Sequence, residues 1–510
     1  MAKNTYEYTD RTSLTKQTMS GFFWQTSGTV VAALSQFLVM IILTRLLDPS
    51  EFGLVTIAYT VTAFTDIMNQ LGLSSALIQR KALTNAHIRT AFTFTNLTGF
   101  VLTALLWVAA PFLAQFFNDA QGLTGVLRGL SLIYIISSLG QVAKSLNYRN
   151  LNYRIKTVIN IISYVVGYGV VGISMAFLGF GAWALVGAAL TQSILLNASF
   201  LIVSPHDVRP LLERKALSDL LGYGAGLTIG EVFVRVAANA DYFIVGKTMG
   251  LAQVGIYGRA FQLMSLPNKY FGTILQSVLF TATARVQDEP KTLRAIYRRG
   301  VSIIAVMVLP ISATLLVFAP ETIRFLYGRD WDAAIIPFQI LAGCMVLRLV
   351  VRMTDIIVKT SGTVFKRAVY QFIYALLVIA GAWIGHFWGV SGVAIGVSVA
   401  SLLNFFSMTS LSTKITQMNW PEIGQLYLPS LYLTAILLLE SLGLALLLRS
   451  FAAPTIVTLF VGMAVTGLSG IGLIWIAPKT FMGADGEWFL QTIIRYLPGP
   501  FKRRFIRSAA

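Results

Sequence analysis

Arg348, Arg352, Asp355 and Lys359 follow one another at intervals of 4, 3 and 4 residues inside an apolar run. That spacing places all four on one face of a helix. A row of cations in apolar surroundings is the chemistry of anion binding, and guanidinium groups match phosphate oxygens in bidentate geometry. Glu231, Arg235, Asn239 and Tyr242 draw a second polar face, with Asp241 in the same run. Arg259 stands one turn into the next run, and Asp66 is followed by Asn69 and Gln70 in an earlier one. Adding Arg45, at the end of the first run, the cationic set for an anionic substrate is Arg45, Arg235, Arg259, Arg348, Arg352 and Lys359. Asp66, Glu231, Asp241 and Asp355 are candidates to bind a coupling cation. They are equally candidates for salt bridges, such as Glu231–Arg235 and Arg352–Asp355, that hold helices together; spacing alone does not choose.

Other chemistry is set aside. The chain contains neither a G-x-S-x-G nucleophile elbow nor a G-x-x-x-x-G-K-[ST] phosphate loop, so it is not expected to be an enzyme or an ATPase on its own. One D-x-D, Asp330-Trp331-Asp332, could hold Mg²⁺ with a sugar nucleotide, but it falls in a loop expected outside the cytoplasm, where such substrates are not made. The single cysteine, Cys344, excludes intrachain disulfides and multi-cysteine metal sites. His87, His206 and His386 are far apart in sequence, so no metal and no cofactor is expected; His386 reads as an interfacial histidine.

The elements that must position these residues are membrane helices. The 510 residues are 56% hydrophobic and 12% charged, with a mean hydropathy of +0.71. Soluble domains carry about 25% charged residues, so a soluble enzyme, a disordered regulator and a nucleic-acid-binding protein are all excluded, despite a net charge of +18. A membrane helix needs about 20 mostly apolar residues. Fourteen segments qualify: 20–45, 52–78, 89–116, 124–146, 156–178, 180–203, 217–246, 254–282, 298–320, 333–358, 365–388, 389–412, 425–449 and 454–477. The runs are too long and too continuously apolar for transmembrane strands. The fold class is therefore all-α and polytopic.

With fourteen spans, the two ends and the even-to-odd loops share one side and hold 27 Lys and Arg residues; the opposite side holds 6. The positive-inside bias then puts both termini in the cytoplasm. The first apolar run is too long for a cleavable signal and is expected to remain as a helix. Lys144, Arg235, Arg259, Lys269, Arg348 and Arg352 fall inside spans. Facing lipid, each would cost about 2.5–3.5 kcal/mol, together more than the about 5–15 kcal/mol that holds a typical fold. Most must face a wet cavity, pair with an acid, or reach an interface. Over 486–507, Trp488, Phe489, Ile493, Ile494 and Leu497 are paired with Arg495, Lys502, Arg503, Arg504 and Arg507. The first half reads as a helix on the cytoplasmic leaflet, held by anionic lipids.

An internal repeat organises the spans. Arg45-Leu-Leu-Asp-Pro-Ser-Glu-Phe-Gly53 and Lys247-Thr-Met-Gly-Leu-Ala-Gln-Val-Gly255 both run cation, seven residues, glycine, at an offset of 202. The same offset pairs Leu54 with Ile256 and Tyr59 with Phe261. A looser echo joins Gly179-Phe-Gly-Ala-Trp to Gly389-Val-Ser-Gly-Val. Two pseudo-symmetric six-helix lobes plus two C-terminal helices follow, and paired lobes with a site between them are a transporter pattern. The expected divisions are a cytoplasmic segment 1–18, an N-lobe 19–205, a C-lobe 206–415, two further spans over 416–478 and a basic amphipathic tail 479–510.

Leu43-Thr-Arg45-Leu-Leu-Asp-Pro49-Ser-Glu51-Phe-Gly53-Leu, Asp241-Tyr-Phe-Ile-Val-Gly246, Gly255-Ile-Tyr257-Gly-Arg259-Ala, and Tyr327-Gly-Arg-Asp-Trp331 followed by Pro337 together carry a resemblance. Over nearly the whole chain the sequence resembles the polysaccharide transporter (Wzx-like) flippases of the multidrug/oligosaccharidyl-lipid/polysaccharide exporter superfamily. The resemblance implies two six-helix bundles, often with two more helices. It implies an undecaprenyl-pyrophosphate-linked oligosaccharide as substrate, moved from the cytoplasmic to the periplasmic leaflet of a bacterial inner membrane by alternating access. It further implies a cationic cavity, which suits Arg235, Arg259, Arg348 and Arg352, and coupling to an H⁺ or Na⁺ gradient. A polysaccharide polymerase or other export machinery is a candidate partner. The rival readings are a lipid II-type flippase, a cation-coupled drug exporter of the same superfamily, and, more remotely, a membrane polysaccharide polymerase.

Overall fold

A computed structural model describes residues 11–496 except 71–72, 81, 119, 151, 222–224, 287–288 and 362. Among the described residues the secondary structure is helical, with no strand. The chain divides into two compact units, one through Gly258 and one from Arg259.

The first unit opens with α1 (Arg11–Leu46), α2 (Pro49–Gln70), α3 (Leu73–Gln79), α4 (Asn85–Phe116) and α5 (Leu123–Arg149). One broken rod follows: α6 (Tyr153–Tyr164), a π-helical stretch (Val165–Gly172) and α7 (Ile173–Phe177). Then come α8 (Ala182–Val203), α9 (Arg214–Leu221), α10 (Ala225–Met249) and the start of α11 (Leu251–Arg285). The second unit holds the rest of α11, α12 (Pro290–Val317), α13 (Ala319–Leu326), a 3₁₀ turn (Arg329–Ala334), α14 (Ile335–Gly343), α15 (Met345–Thr360) and α16 (Val364–Gly385). It ends with α17 (Gly389–Thr416), α18 (Trp420–Ser450), α19 (Thr455–Ile476) and α20 (Pro478–Tyr496).

Each apolar run expected to span coincides with one of these helices or with a broken helix pair. Among the described residues, nine stretches are long and apolar enough to cross a membrane by length and composition, ten if the bent pair is one span. The stretch 365–416 counts there as one, yet it turns back on itself at Gly389 (φ +74°). A Cβ built on Gly381 would meet the Gly396 carbonyl oxygen at 2.5 Å, and one on Gly385 the Gly392 oxygen at 2.3 Å. The four glycines let α16 and α17 pack backbone to backbone as an antiparallel hairpin, the close approach that small residues permit in membranes. The run expected as a single helix over 333–358 is bent by 45° at Cys344, between α14 and α15.

The first unit is built on α4, α5 and α8, with α1 against α6 and α2 against α5 and α10. The two nine-residue repeats meet there. A Cβ on Gly53 would lie 1.8 Å from the Leu251 carbonyl oxygen; a Cβ on Gly255 would lie 1.9 Å from that of Pro49. Pro49 and Leu251, like Gly53 and Gly255, are 202 apart. The contact is therefore reciprocal, a local two-fold relation between the repeats.

Arg149, counted among loop cations in the sequence, is buried at 7% exposure. Its Nη1 donates to the carbonyls of Leu77 (3.1 Å), Ile78 (3.2 Å) and Arg80 (2.7 Å), capping the C-terminal end of α3, where carbonyls lack helical partners. Replacing Arg149 by alanine is expected to cost about 1.5–3 kcal/mol, the range for hydrogen bonds to a charged group. The check is the thermal midpoint of the detergent-solubilised protein; an unchanged midpoint would mean that water satisfies those carbonyls.

The segment between α8 and α10 is tied to α4. The Leu211 N–H donates to Thr93 Oγ1 (2.9 Å), that of Glu213 to Thr90 Oγ1 (3.2 Å), and the Asn85 amide to Asp207 (3.1 Å). The Arg209 N–H, and after it the Asn85 amide, hold the Asp207 carboxyl below the usual carboxylate range. On α9, Asp219 pairs with Arg80 at 2.8 Å.

The second unit gathers around α12, which packs on α15, α18 and α20. α20 bends at Gly483 (φ +67°) and docks through Asp485 on Arg298 (3.1 Å), while the Arg299 guanidinium stacks over the Trp488 ring at 3.7 Å. The start of the amphipathic tail thus rests on protein side chains. The part of the tail from 497 on lies outside the described residues.

Candidate functional site

α15 sorts its residues as the 4-3-4 spacing requires. Val346, Leu349, Val350, Met353, Ile356 and Ile357 are buried, and the helix packs against α12 and α17. Arg348, Arg352, Asp355 and Lys359 share the other side and are half-buried.

Part of that face lies against α11. The Arg348 guanidinium sits over the Phe261 ring, 4.8 Å from its centroid, where the electron-rich ring face attracts a cation. Arg352 crosses α11 at Gly272: a Cβ there would lie 2.9 Å from Arg352 Cδ and 3.0 Å from Nε. The absence of a side chain at 272 makes the groove in which this arginine lies. Lower on the face, Asp355 accepts from Lys359 at 3.0 Å and from Nε of Arg367. Arg367 counts among the loop cations in the sequence; it sits instead in the first turn of α16 at 4% exposure. The stripe therefore has two parts: two arginines toward α11, and a carboxylate shared by Lys359 and Arg367.

Arg259, which opens this unit's share of α11, donates from Nη1 to Gln262 Oε1. Its carbonyl accepts from the buried Tyr327 hydroxyl at 3.4 Å. Tyr327 packs on Trp331, with ring centroids 5.6 Å apart. In the D-x-D of that loop, Asp332 is held by Arg324 at 2.8 Å while Trp331 is buried, so the motif serves to lock the loop. Among the described residues no cluster of His, Cys, Asp and Glu could hold a metal. Nδ1 of His386 contacts the Trp383 carbonyl.

In the first unit, Arg235 is half-buried on α10, and its carbonyl accepts from the Asn239 amide at 2.8 Å. Asp241 is 1% exposed and accepts from the Tyr257 hydroxyl at 2.7 Å and from the Tyr242 N–H at 3.0 Å. Arg45 is exposed at the end of α1. Its repeat counterpart Lys247 donates to the Phe116 carbonyl (2.6 Å) and Asn118 Oδ1 (3.1 Å). The side chains of Asp66 and Glu231, and with them the expected Glu231–Arg235 pair, lie outside the described residues.

One intramembrane acid was missed by the sequence reading. Glu440 of α18 accepts from Ser469 of α19 at 2.6 Å. Its signal was a lone acid in the apolar run 425–449.

A protein-family model described as polysaccharide biosynthesis protein matches residues 42–336. Among curated proteins, the teichuronic acid biosynthesis protein TuaB of Bacillus subtilis (strain 168) is 24% identical, over 89% of this chain and 95% of its own length. The lipopolysaccharide biosynthesis protein WzxC of Escherichia coli (strain K12) is 23% identical, over 77% of this chain and 80% of its own. Among solved structures, the lipid II flippase MurJ in an inward closed conformation superposes with a TM-score of 0.71 at 14% identity, covering 90% of this chain and 98% of that one. The two share a fold.

Proposed function

We propose, from the premise that this multi-pass membrane protein belongs to the polysaccharide biosynthesis protein family, that it is a polysaccharide-biosynthesis transporter that flips a lipid-linked oligosaccharide. The substrate is an undecaprenyl-pyrophosphate-linked repeat unit, carried from the cytoplasmic to the outer leaflet of a bacterial inner membrane by alternating access, with both termini in the cytoplasm. A pyrophosphate-sugar head cannot cross about 30 Å of hydrocarbon unaided.

One observation carries the reading: Arg348 and Arg352 share the half-buried face of α15 that lies against Phe261 and Gly272. Arg235 and Arg259 extend the same chemistry. Lys359 is engaged with Asp355, so it contributes less, and the exposed Arg45 serves entry or exit. With Asp355 neutralised by Lys359 and Arg367, the coupling cation, H⁺ or Na⁺, falls to Asp241, Asp66 or Glu231. The basic residues beyond 496 hold the tail to anionic lipid.

The test is the leaflet position of the lipid-linked repeat unit in cells deleted for this gene and complemented. Wild type is expected to clear the cytoplasmic leaflet. Arg352→Ala is expected to lose about 10- to 100-fold in flipping rate, since a charge-assisted contact is worth about 1.5–3 kcal/mol and each 1.4 kcal/mol is tenfold. Arg352→Lys should recover part of the rate, because it keeps the charge and loses the planar fork. Normal flipping by Arg352→Ala at wild-type protein level would remove that arginine from the site. A deletion that leaves the lipid intermediate undisturbed would overturn the flippase reading and bring the drug-exporter reading forward.

A further inference from the structure

The first unit contains an uncharged aromatic cluster that the cationic site does not use. Tyr164 ends α6, and Tyr168 lies in the π-helical stretch that follows. Their rings stack at 5.0 Å with planes 16° apart. The hydroxyl of Tyr59, on α2, is 2.9 Å from that of Tyr168.

Three features mark the cluster as more than packing. The first is depth. Tyr59 is ten residues into α2 and Tyr164 eleven into α6, each about 15 Å along its helix at 1.5 Å per residue. That is midway along α2 and along the rod that α6 opens, whereas tyrosines in membranes normally gather at the two interfaces. The second is exposure. Ile57, Ala58 and Thr60 around Tyr59 are buried, while Tyr59 itself is 39% exposed. The exposed phenol lies beside the stacked pair, open to an occupant, and a hydroxyl at this depth is better placed against a polar group than against hydrocarbon. The third is the backbone. π-Helical turns inside α-helices are frequent at functional sites. This one is wedged on α8, where a Cβ on Gly167 would meet the Ala188 carbonyl oxygen at 2.7 Å and one on Gly172 the Ala188 Cβ at 2.9 Å. The position of Tyr168 is therefore built in.

We infer that Tyr59, Tyr164 and Tyr168 form a sugar-binding subsite that takes a pyranose ring of the substrate's oligosaccharide head. The negative π-face of a tyrosine ring suits the C–H face of a sugar, and its hydroxyl exchanges hydrogen bonds with sugar hydroxyls. None of the three carries a formal charge, so the cluster is suited to the glycan and not to the phosphates. The internal repeat gives the contrast. The counterpart of Tyr59 is Phe261, which lies under the Arg348 guanidinium. One repeat position thus serves a neutral aromatic cluster in the first unit and a cationic one in the second. The inference rests on the flippase reading and deepens it by dividing sugar recognition from phosphate recognition.

The test uses the full-length protein in lipid nanodiscs and native mass spectrometry with two probes. One is undecaprenyl pyrophosphate; the other is the undecaprenyl-pyrophosphate-linked oligosaccharide extracted from the producing cells. The ratio of their affinities isolates the sugar's share. Wild type should prefer the glycosylated probe by about tenfold, equivalent to one or two aromatic contacts. Tyr164→Leu/Tyr168→Leu should bring the ratio near one while leaving undecaprenyl pyrophosphate binding unchanged, and Tyr59→Phe should lower it partway. Arg352→Ala should weaken both probes and leave the ratio. An unchanged ratio in the double variant overturns the subsite, as does an equal loss for both probes, which would make the tyrosines structural. A wild-type ratio of one with tight binding of both probes also overturns it, but leaves the flippase reading standing. Wild type that binds neither probe defeats the flippase reading itself.

Discussion

Asp355→Ala is expected to lower stability by about 3–5 kcal/mol, the cost of removing one partner from a buried ion pair. The reason lies in the partner. Arg367 is 4% exposed and its guanidinium folds onto Asp355, so truncation leaves a charge enclosed by protein with its counter-ion gone. Lys359 is more exposed, and its i,i+4 bridge adds only a few tenths of a kcal/mol. The control is the paired replacement Asp355→Leu/Arg367→Leu, which removes both charges together. Replacements of that kind are often neutral or stabilising, so the double variant should regain most of the loss. Thermal midpoints in detergent measure both. If Asp355→Ala melts like wild type, or if the double variant falls further than the single, the carboxylate is not what joins α15 to α16.

The outcome at Asp355 also shows what the sequence could and could not carry. Intervals of 4, 3 and 4 report helix faces directly, so Arg348, Arg352, Asp355 and Lys359 are legible as one stripe from their spacing alone. Arg367 is not, because it reaches Asp355 from α16, beyond the end of α15, and local spacing says nothing about which way one helix folds onto the last. Arg149 fails for the same reason: a cation at a helix end reads as a loop charge, yet it caps a second helix 69–72 residues away. The helices are legible because apolar runs of span length have few alternatives in lipid. The break at Cys344 and the π-helical turn are hidden, because hydropathy is blind to a change of helical pitch inside an apolar run. The tail's amphipathic pattern is legible, but Trp488 stacks on Arg299 of α12, and amphipathicity does not distinguish a lipid surface from a protein one. In the D-x-D, the fold buries Trp331 and pairs Asp332 with Arg324, contacts that a three-residue motif does not announce.

The repeat is legible from a cation and a glycine eight residues on, and its crossing gives the second large effect. In a helix, Gly→Ala ordinarily stabilises by about 0.5–1 kcal/mol. Gly443 of α18 has nothing within 4 Å of an added Cβ, so Gly443→Ala should follow that rule. At Gly53 and Gly255 the sign should reverse. The added carbon would lie 1.8 or 1.9 Å from a backbone oxygen, with no flexible side chain to yield, so the start of α2 and the start of α11 must part. Overpacking typically costs about 1–3 kcal/mol, occasionally more, and parting two backbones belongs at or above the upper end. Because the contact is reciprocal, Gly53→Ala and Gly255→Ala should cost similar amounts. They should also be strongly non-additive: once one carbon has separated the helices, the second meets little resistance, so the double variant should fall well short of the sum. Additive losses would mean that the two glycines sit in independent contacts and that the repeats do not share a local two-fold crossing. A rise in midpoint for either single variant would mean that the backbones were never that close.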